Sequence, residues 1–206
     1  EPSREVCDAL QPSLFVESGF GLGDADLELF IRLREEVLQA DGARVYIIGN
    51  AFGYSTIALA LLFARHGSGG HVDAIDAETE GYPGSRLGSG LTRAIANASR
   101  LNVSLHFGFS PHDVGRSMRS RQYHLAFIDG YHSDKQLFLD FMAVEPYLAR
   151  KAVVVLHDVG YFNLHETVAI LPGYWQRHLV RGRAYKNMVG TVLMYKGFPA
   201  GALAYL

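Results

Sequence analysis

Two short runs restrict the fold of this chain more than any other feature. Tyr123-His124-Leu125-Ala126-Phe127-Ile128-Asp129 and Lys151-Ala152-Val153-Val154-Val155-Leu156-His157-Asp158 are nearly continuously apolar over the length of a strand, and each ends in a carboxylate. A strand with one wet face alternates apolar and polar residues. A strand without that alternation has both faces covered, as central strands between two layers of helices do. Further strand patterns stand at Ala43–Ile48, His71–Asp76, Val103–Phe107 and Gly190–Tyr195. Helical spacing separates them: from Asp24 to the Asp41-Gly42 stop, with Leu27, Phe30, Ile31, Val37 and Leu38 as its stripe; over Gly53–Arg65; over Leu91–Leu101; briefly through Val114 and Met118; and over Ser133–Arg150. A last helix is expected through Val168 to Trp175 and His178, broken at Pro172-Gly173. The alternation, without repeats or linkers, predicts a single α/β domain over 1–206: a doubly wound, mostly parallel sheet with helices on both faces.

Composition removes several classes of function. Nineteen Lys and Arg against 21 Asp and Glu leave a net charge of -2, so nothing electrostatic calls for nucleic acid or an anionic membrane as partner. Cys7 is the only cysteine, which rules out an intrachain disulfide and any zinc site of several cysteines. The longest apolar run, Ile57–Ala64, is too short to span a membrane, and polar and acidic residues stand where a signal sequence would be apolar. A soluble, cytoplasmic protein with a small-molecule partner is expected; the oligomeric state is left open.

In an open α/β sheet the ligand crevice lies beyond the carboxyl ends of the strands. The residues there are Gly49-Asn50-Ala51-Phe52-Gly53-Tyr54-Ser55 after the first strand, Asp76 and Ala77 after the second, Ser110 after the third, Asp129 and His132 after the fourth, and His157 and Asp158 after the fifth. Gly49 and Gly53, lacking Cβ, are expected to let a ligand approach the backbone, with Ser55 and Thr56 adding hydroxyls. The spacing is neither the G-x-G-x-x-G dinucleotide fingerprint nor a phosphate-binding P-loop. A carboxylate ending the second strand offers two oxygens to the two hydroxyls of a ribose, the role expected of Asp76.

In order and spacing, Ile48–Thr56, Ala74-Ile75-Asp76, Gly108-Phe109-Ser110, Phe127–Ser133 and Val154–Asp158 resemble the class I S-adenosylmethionine-dependent methyltransferases. The nearer likeness is to the small-molecule O-methyltransferases whose fourth strand ends in Asp-Gly-x-His. The resemblance implies a Rossmann-like methyltransferase fold with residues 1–42 as lead-in and helix, 43–160 as cofactor-binding core, and 161–206 as acceptor-side elements and last strand. It implies that Gly49–Ser55 holds the methionine portion of S-adenosyl-L-methionine, that Asp76 holds the ribose, with Ala77 beside it also in the cofactor site, and that Ser110 borders the adenine. Asp129, with His132 beside it, would face the amino group or a metal. Ile47 departs from the pattern, which has an acidic residue there.

Methyl transfer to a hydroxyl requires alignment and removal of a proton. His132 and His157 are the candidate bases, oriented by Asp129 and Asp158. Asp129 and Asp158 also have the placement of a divalent-cation site, magnesium in related enzymes, but Val159 stands where the catechol-type pattern has Asn or Asp. The expected reaction is O-methylation of a small hydroxylated metabolite, a sugar or natural-product intermediate. The alternatives are a nicotinamide-dependent oxidoreductase and a non-catalytic cofactor-binding or partner domain. The aromatics Phe20, Tyr161, Phe162, Tyr174 and Trp175 lie where acceptor pockets are built, and read first as satellite-core residues.

Overall fold

The computed structural model describes residues 24–67, 69–78, 85–118, 122–180 and 190–204. The elements run α1 (Asp24–Glu36), β1 (Arg44–Ile48), α2 (Tyr54–Arg65), β2 (His71–Asp76), α3 (Ser85–Ala98), β3 (Val103–Phe107), α4 (Val114–Ser117) and β4 (Tyr123–Ile128). After them come α5 (Asp134–Val144), a 3-10 turn (Glu145–Tyr147), β5 (Leu148–Leu156), α6 (His165–Ile170), β6 (Gln176–Val180) and β7 (Thr191–Lys196). One seven-stranded sheet takes the order β3-β2-β1-β4-β5-β7-β6. β1 to β5 are parallel, while β7 is antiparallel to both β5 and β6. The chain winds outward from β1 to β3 and returns to β4, so β1 and β4 flank the topological switch point.

The two apolar runs become β4 and β5, with Leu125, Phe127, Val153, Val154, Val155 and Leu156 fully buried. Side chains alternate between two cores. Tyr46, Ile48, Ala126, Ile128, Val154 and Leu156 pack with Leu137, Phe141 and Val144 of α5 and with Trp175. On the opposite face Val45, Ile47, Leu125, Phe127, Val153 and Val155 pack with Leu29, Phe30 and Leu33 of α1 and Ala58, Leu59 and Leu62 of α2. This period-two division places polar strand-end residues at one rim of the sheet.

Several boundaries differ from expectation. α3 starts at Ser85 rather than Leu91, and α5 stops at Val144 because Pro146 follows; Leu148 already belongs to β5. α6 ends at Ile170 before Leu171-Pro172, and Gln176–His178, expected as the end of a helix, instead belong to the strand Gln176–Val180 paired with β7. Segment 18–23 with Phe20, loop residues 79–84, and 181–189 with Tyr185 lie outside the described residues.

Candidate active site

The turn after β1 is built by the protein's own contacts. Gly49 and Gly53 have φ of 91° and 85°, a region that disfavours other residues. A Cβ on Gly49 would lie 2.0 Å from the Asp129 carbonyl oxygen, and one on Gly53 would lie 1.9 Å from Thr92 Oγ1. The missing side chains therefore make room for the loop after β4 and for α3, which corrects the expectation that they make room for a ligand. Asn50, 3% exposed, staples the turn: its Nδ2 donates to Thr92 Oγ1 at 3.1 Å and its Oδ1 accepts from Thr56 Oγ1 at 2.8 Å. The Thr56 hydroxyl is spent on Asn50 rather than on the crevice as expected, and Ser55 beside it is 6% exposed. What the turn offers is backbone, since α2 starts without a side-chain cap bond and without an acidic residue in its first turn. Phe52 and Tyr54 are half-buried beside it.

Asp76 ties two strand ends together. Its Oδ2 accepts from the N–H groups of Asn50 and Ala51 at 2.8 and 2.9 Å, and its Oδ1 from that of Glu78 at 2.8 Å, with Ala77 between. A carboxylate has about four acceptor positions, so one remains on Oδ1. Ser110 lies after β3, its Oγ donating to Asp140 Oδ1 at 2.5 Å. Gln136 Nε2 donates to the same oxygen at 2.6 Å and to the Ser110 carbonyl at 2.8 Å. Burial pushes the Asp140 carboxyl up to about 6, partly offset by these hydrogen bonds.

The ends of β4 and β5 bring Asp129, His132, His157 and Asp158 together. Ser133 caps α5 by accepting from the Gln136 N–H, which pins the short loop carrying His132. His132 Nε2 lies 3.1 Å from Asp129 Oδ1 and 3.6 Å from Asp158 Oδ2. Its ring stacks on Phe162 at 4.3 Å and 3°. Asp158 has φ of 56°, a left-handed conformation Asp tolerates, and its carbonyl accepts from the Phe162 N–H. That turn folds Phe162 back over His132.

His157 is 6% exposed and enclosed by acids: Nδ1 is 3.3 Å from Asp129 Oδ1 and 3.4 Å from Asp158 Oδ1, and Nε2 is 3.4 Å from Asp26 Oδ2. Burial alone would push its pKa down, but Asp129, Asp158 and Asp26 outweigh it and hold the imidazole well above its usual range. For Asp129, likewise, burial works upward and is overcome by His157 and His132, leaving the carboxyl well below its usual range. Each of the two groups, 3.3 Å apart, favours the charged form of the other. Ile47 is fully buried among apolar side chains and contributes nothing polar here.

Asp129, His132 and Asp158 each offer one ligand atom, all within 4.8 Å of one another. Val159 is buried in the core, so the imidazole of His132 stands as third donor where the catechol-type pattern has an oxygen. Two carboxylates and an imidazole fit a divalent cation, though the nitrogen suits zinc better than magnesium.

A family model described as a methyltransferase domain matches residues 47–159. That span exceeds half the chain and holds the turn, Asp76, Ser110 and all four residues at the ends of β4 and β5. The chain belongs to this methyltransferase family. Its fold is similar to that of an O-methyltransferase from Bacillus cereus in complex with SAH, at 16% identity over 94% of this chain and 90% of that one, with a TM-score of 0.68. It is also similar to the O-methyltransferase TomG from Streptomyces achromogenes, involved in tomaymycin synthesis and solved with SAM, at 17% identity over 86% and 82%, with a TM-score of 0.66. No curated protein sequence matches the chain. Among the described residues no helix is long and apolar enough to cross a membrane. Membership of a methyltransferase family removes the nicotinamide-dependent oxidoreductase alternative.

Sequence reasoning missed three residues around this methyltransferase's strand ends, two in the β4–β5 cluster and one beside Ser110. Asp26 reaches His157 from α1, a contact made only in three dimensions. Phe162, read as satellite core, stacks on His132, whereas Trp175 is core, edge-on to Phe141 at 5.4 Å, and Tyr174 is exposed. Asp140 carried a signal: a carboxylate on the same helical stripe as Leu137, Phe141 and Val144.

Proposed function

We propose that the chain transfers the methyl group of S-adenosylmethionine to a hydroxyl of a small hydroxylated metabolite, a sugar or natural-product intermediate, with His132 as general base. The observation that carries this reading is the Asp129–His132–Asp158 cluster at the switch point, one loop from a helix start that has no side-chain cap. An uncapped helix N-terminus suits the methionine carboxylate, the remaining acceptor position of Asp76 suits one ribose hydroxyl, and Ser110 stands beyond it for the adenine. With Ile47 apolar, Asp129 is the nearest candidate for the amino group. S-Adenosylmethionine supplies the electrophilic methyl group; the chain's own residues align the acceptor and take its proton.

The two histidines suit different parts. A neutral His132 donating from Nε2 to Asp129 keeps Nδ1 as an acceptor for the substrate proton, and the resulting imidazolium is stabilised by Asp129 and Asp158. His157, buried between carboxylates that favour its protonated form, suits the part of holding Asp129 and Asp158 in place. A second reading follows from the ligand set: a cation held by Asp129, His132 and Asp158 would lower the pKa of the acceptor hydroxyl.

Calorimetry with S-adenosylmethionine and S-adenosylhomocysteine tests the main reading, and both are expected to bind. Folded protein that gives neither heat nor a thermal shift at millimolar ligand would end it. With an acceptor in hand, turnover that survives a chelator assigns the proton to His132, and turnover lost to a chelator and restored by a divalent cation assigns that residue to the metal.

A further inference from the structure

A surface helix normally turns its apolar stripe to the core, but α3 turns it outward. Its inward positions are Gly88, Ser89, Thr92 and Ala96, all buried. They are small or polar because the turn after β1 lies against them. A Cβ on Gly88 would lie 1.8 Å from the Ala51 carbonyl oxygen, and Thr92 Oγ1 holds Asn50 at 3.1 Å. On the side away from the sheet stand Leu87, Leu91, Ala94 and Ala98, spaced four, three and four residues apart. All four are exposed, Leu87 by 76% and Leu91 by 41%, and Ile95 at their flank by 37%. Their spacing is that of the alternating a and d positions along a coiled-coil seam.

The order of sizes along this seam says what covers it. Both leucines stand at one end and both alanines at the other, so a parallel copy would set Leu against Leu and Ala against Ala. In an antiparallel pair every a position faces a d position instead. Leu87 then meets Ala98 of the second copy, Leu91 meets Ala94 of the second copy, and the two-fold axis repeats both layers in reverse. Large faces small in every layer, the arrangement that interdigitates without voids. Gly90, exposed and with open space where a Cβ would stand, lets the second backbone come close. Charge agrees with this alignment. Arg86 and Arg93 are turned away from the seam, so the two copies do not set them against each other. Glu78 precedes α3 and Arg100 follows it, so antiparallel alignment brings the acidic end of each copy toward the basic end of the other and opposes the two helix dipoles. We propose that α3 is a contact between two copies of this chain, paired antiparallel along Leu87, Leu91, Ala94 and Ala98. A helix of 14 residues is about 21 Å long, a short seam beside the roughly 1,200–2,000 Å² of a stable interface. The dimer is therefore a reversible one, formed at micromolar concentration.

Sedimentation velocity on the full chain tests this. The unsubstituted protein is expected to pass from monomer to dimer across the micromolar range, and its melting temperature to rise with concentration by mass action. Leu87→Gln combined with Leu91→Gln changes two exposed positions to a residue that keeps the helix. The double variant is expected to raise the dissociation constant by about tenfold or more and to lose the concentration dependence, with the melting temperature of the dilute monomer unchanged. A role in the fold alone would lower that temperature at every concentration and leave the dissociation constant in place. Single cysteines in a Cys7→Ser background read the register: Leu91→Cys mixed with Ala94→Cys is expected to oxidise to the heterodimer in preference to either homodimer. The inference is overturned by a chain that stays monomeric at the top of the range, by a dimer that the double variant leaves intact, or by homodimers prevailing in the mixture. A monomer that sediments with phosphatidylglycerol vesicles would give this face to a lipid surface and overturn it as well.

Discussion

His132 and His157 stand at adjacent strand ends, share Asp129 and Asp158 as partners, and differ in what surrounds them. His157 has carboxylates against both ring nitrogens and almost no access to solvent; His132 has one nitrogen against Asp129 and a ring face on Phe162. Replacing the true base lowers turnover by roughly 10²–10⁴-fold and leaves cofactor affinity nearly unchanged. His132→Ala is expected to behave so in steady-state kinetics paired with calorimetry, and full turnover in that variant would remove the residue from the chemistry. At Asp76 the expectation is different because the carboxylate has two duties. Asp76→Ala is predicted to weaken cofactor binding by about 1.5–3 kcal/mol, the worth of hydrogen bonds to a charged group. It should also lower the melting temperature, since three backbone N–H groups lose their acceptor. A variant with unchanged affinity would mean that another residue holds the ribose.

The strand-turn-helix element of β1 and α2 depends on glycines for reasons that can be separated experimentally. Gly49 and Gly69 both have positive φ, but a Cβ on Gly69 meets nothing within 4 Å, whereas one on Gly49 meets the Asp129 backbone at 2.0 Å. Gly69→Ala is expected to cost about 1–2 kcal/mol, the penalty of the left-handed conformation. Gly49→Ala should cost clearly more, because a backbone carbonyl cannot swing aside as a side chain can. Equal costs in denaturant unfolding would show that packing against the β4 loop is unimportant. These elements also show what the sequence could reveal. β2 and β3 were legible to the residue, because turn residues bound a short apolar run. The five polar strand ends were legible as a set, because a parallel sheet delivers them all to one rim. β6 was not legible: Gln176-Arg177-His178-Leu179-Val180 has the composition of an exposed helix and becomes a strand only by pairing with β7. Nor could the sequence show that the Thr56 hydroxyl turns inward to Asn50, since either outcome is compatible with a helix N-terminus.

For the molecule as a whole, buried charge sets how stability depends on pH. In the sheet's interior Asp73, fully buried, has His106 Nε2 at 3.0 Å and the Tyr123 hydroxyl at 2.9 Å. Burial works upward on its pKa, but His71, His106 and Tyr123 bring it below the usual value. Asp73 and Asp129, both depressed, contribute stability that is present above about pH 4 and lost as pH falls below it. His157 is raised, so its contribution is complete below about pH 6.5 and lost as pH rises through its elevated folded value. Asp140, raised to about 6, acts in the same sense over a lower window, its contribution complete below about pH 4 and lost as pH rises to about 6. The melting temperature is therefore expected to peak at acidic pH, near about 4–5, and to fall on both sides, with a flatter alkaline limb in His157→Gln. A melting temperature that climbs steadily from pH 5 to pH 8 would contradict this balance. The sheet order has a consequence of another kind, for synthesis. β5 ends at Leu156, and the strand that closes its outer edge, β7, begins only at Thr191. While a ribosome makes the residues between, roughly two to seven seconds at 5–20 residues per second, the most apolar strand of the nascent chain has one side unpaired. During that interval a chaperone has the most to protect, and codons that slow the ribosome there would lower the yield of native enzyme without changing a single amino acid.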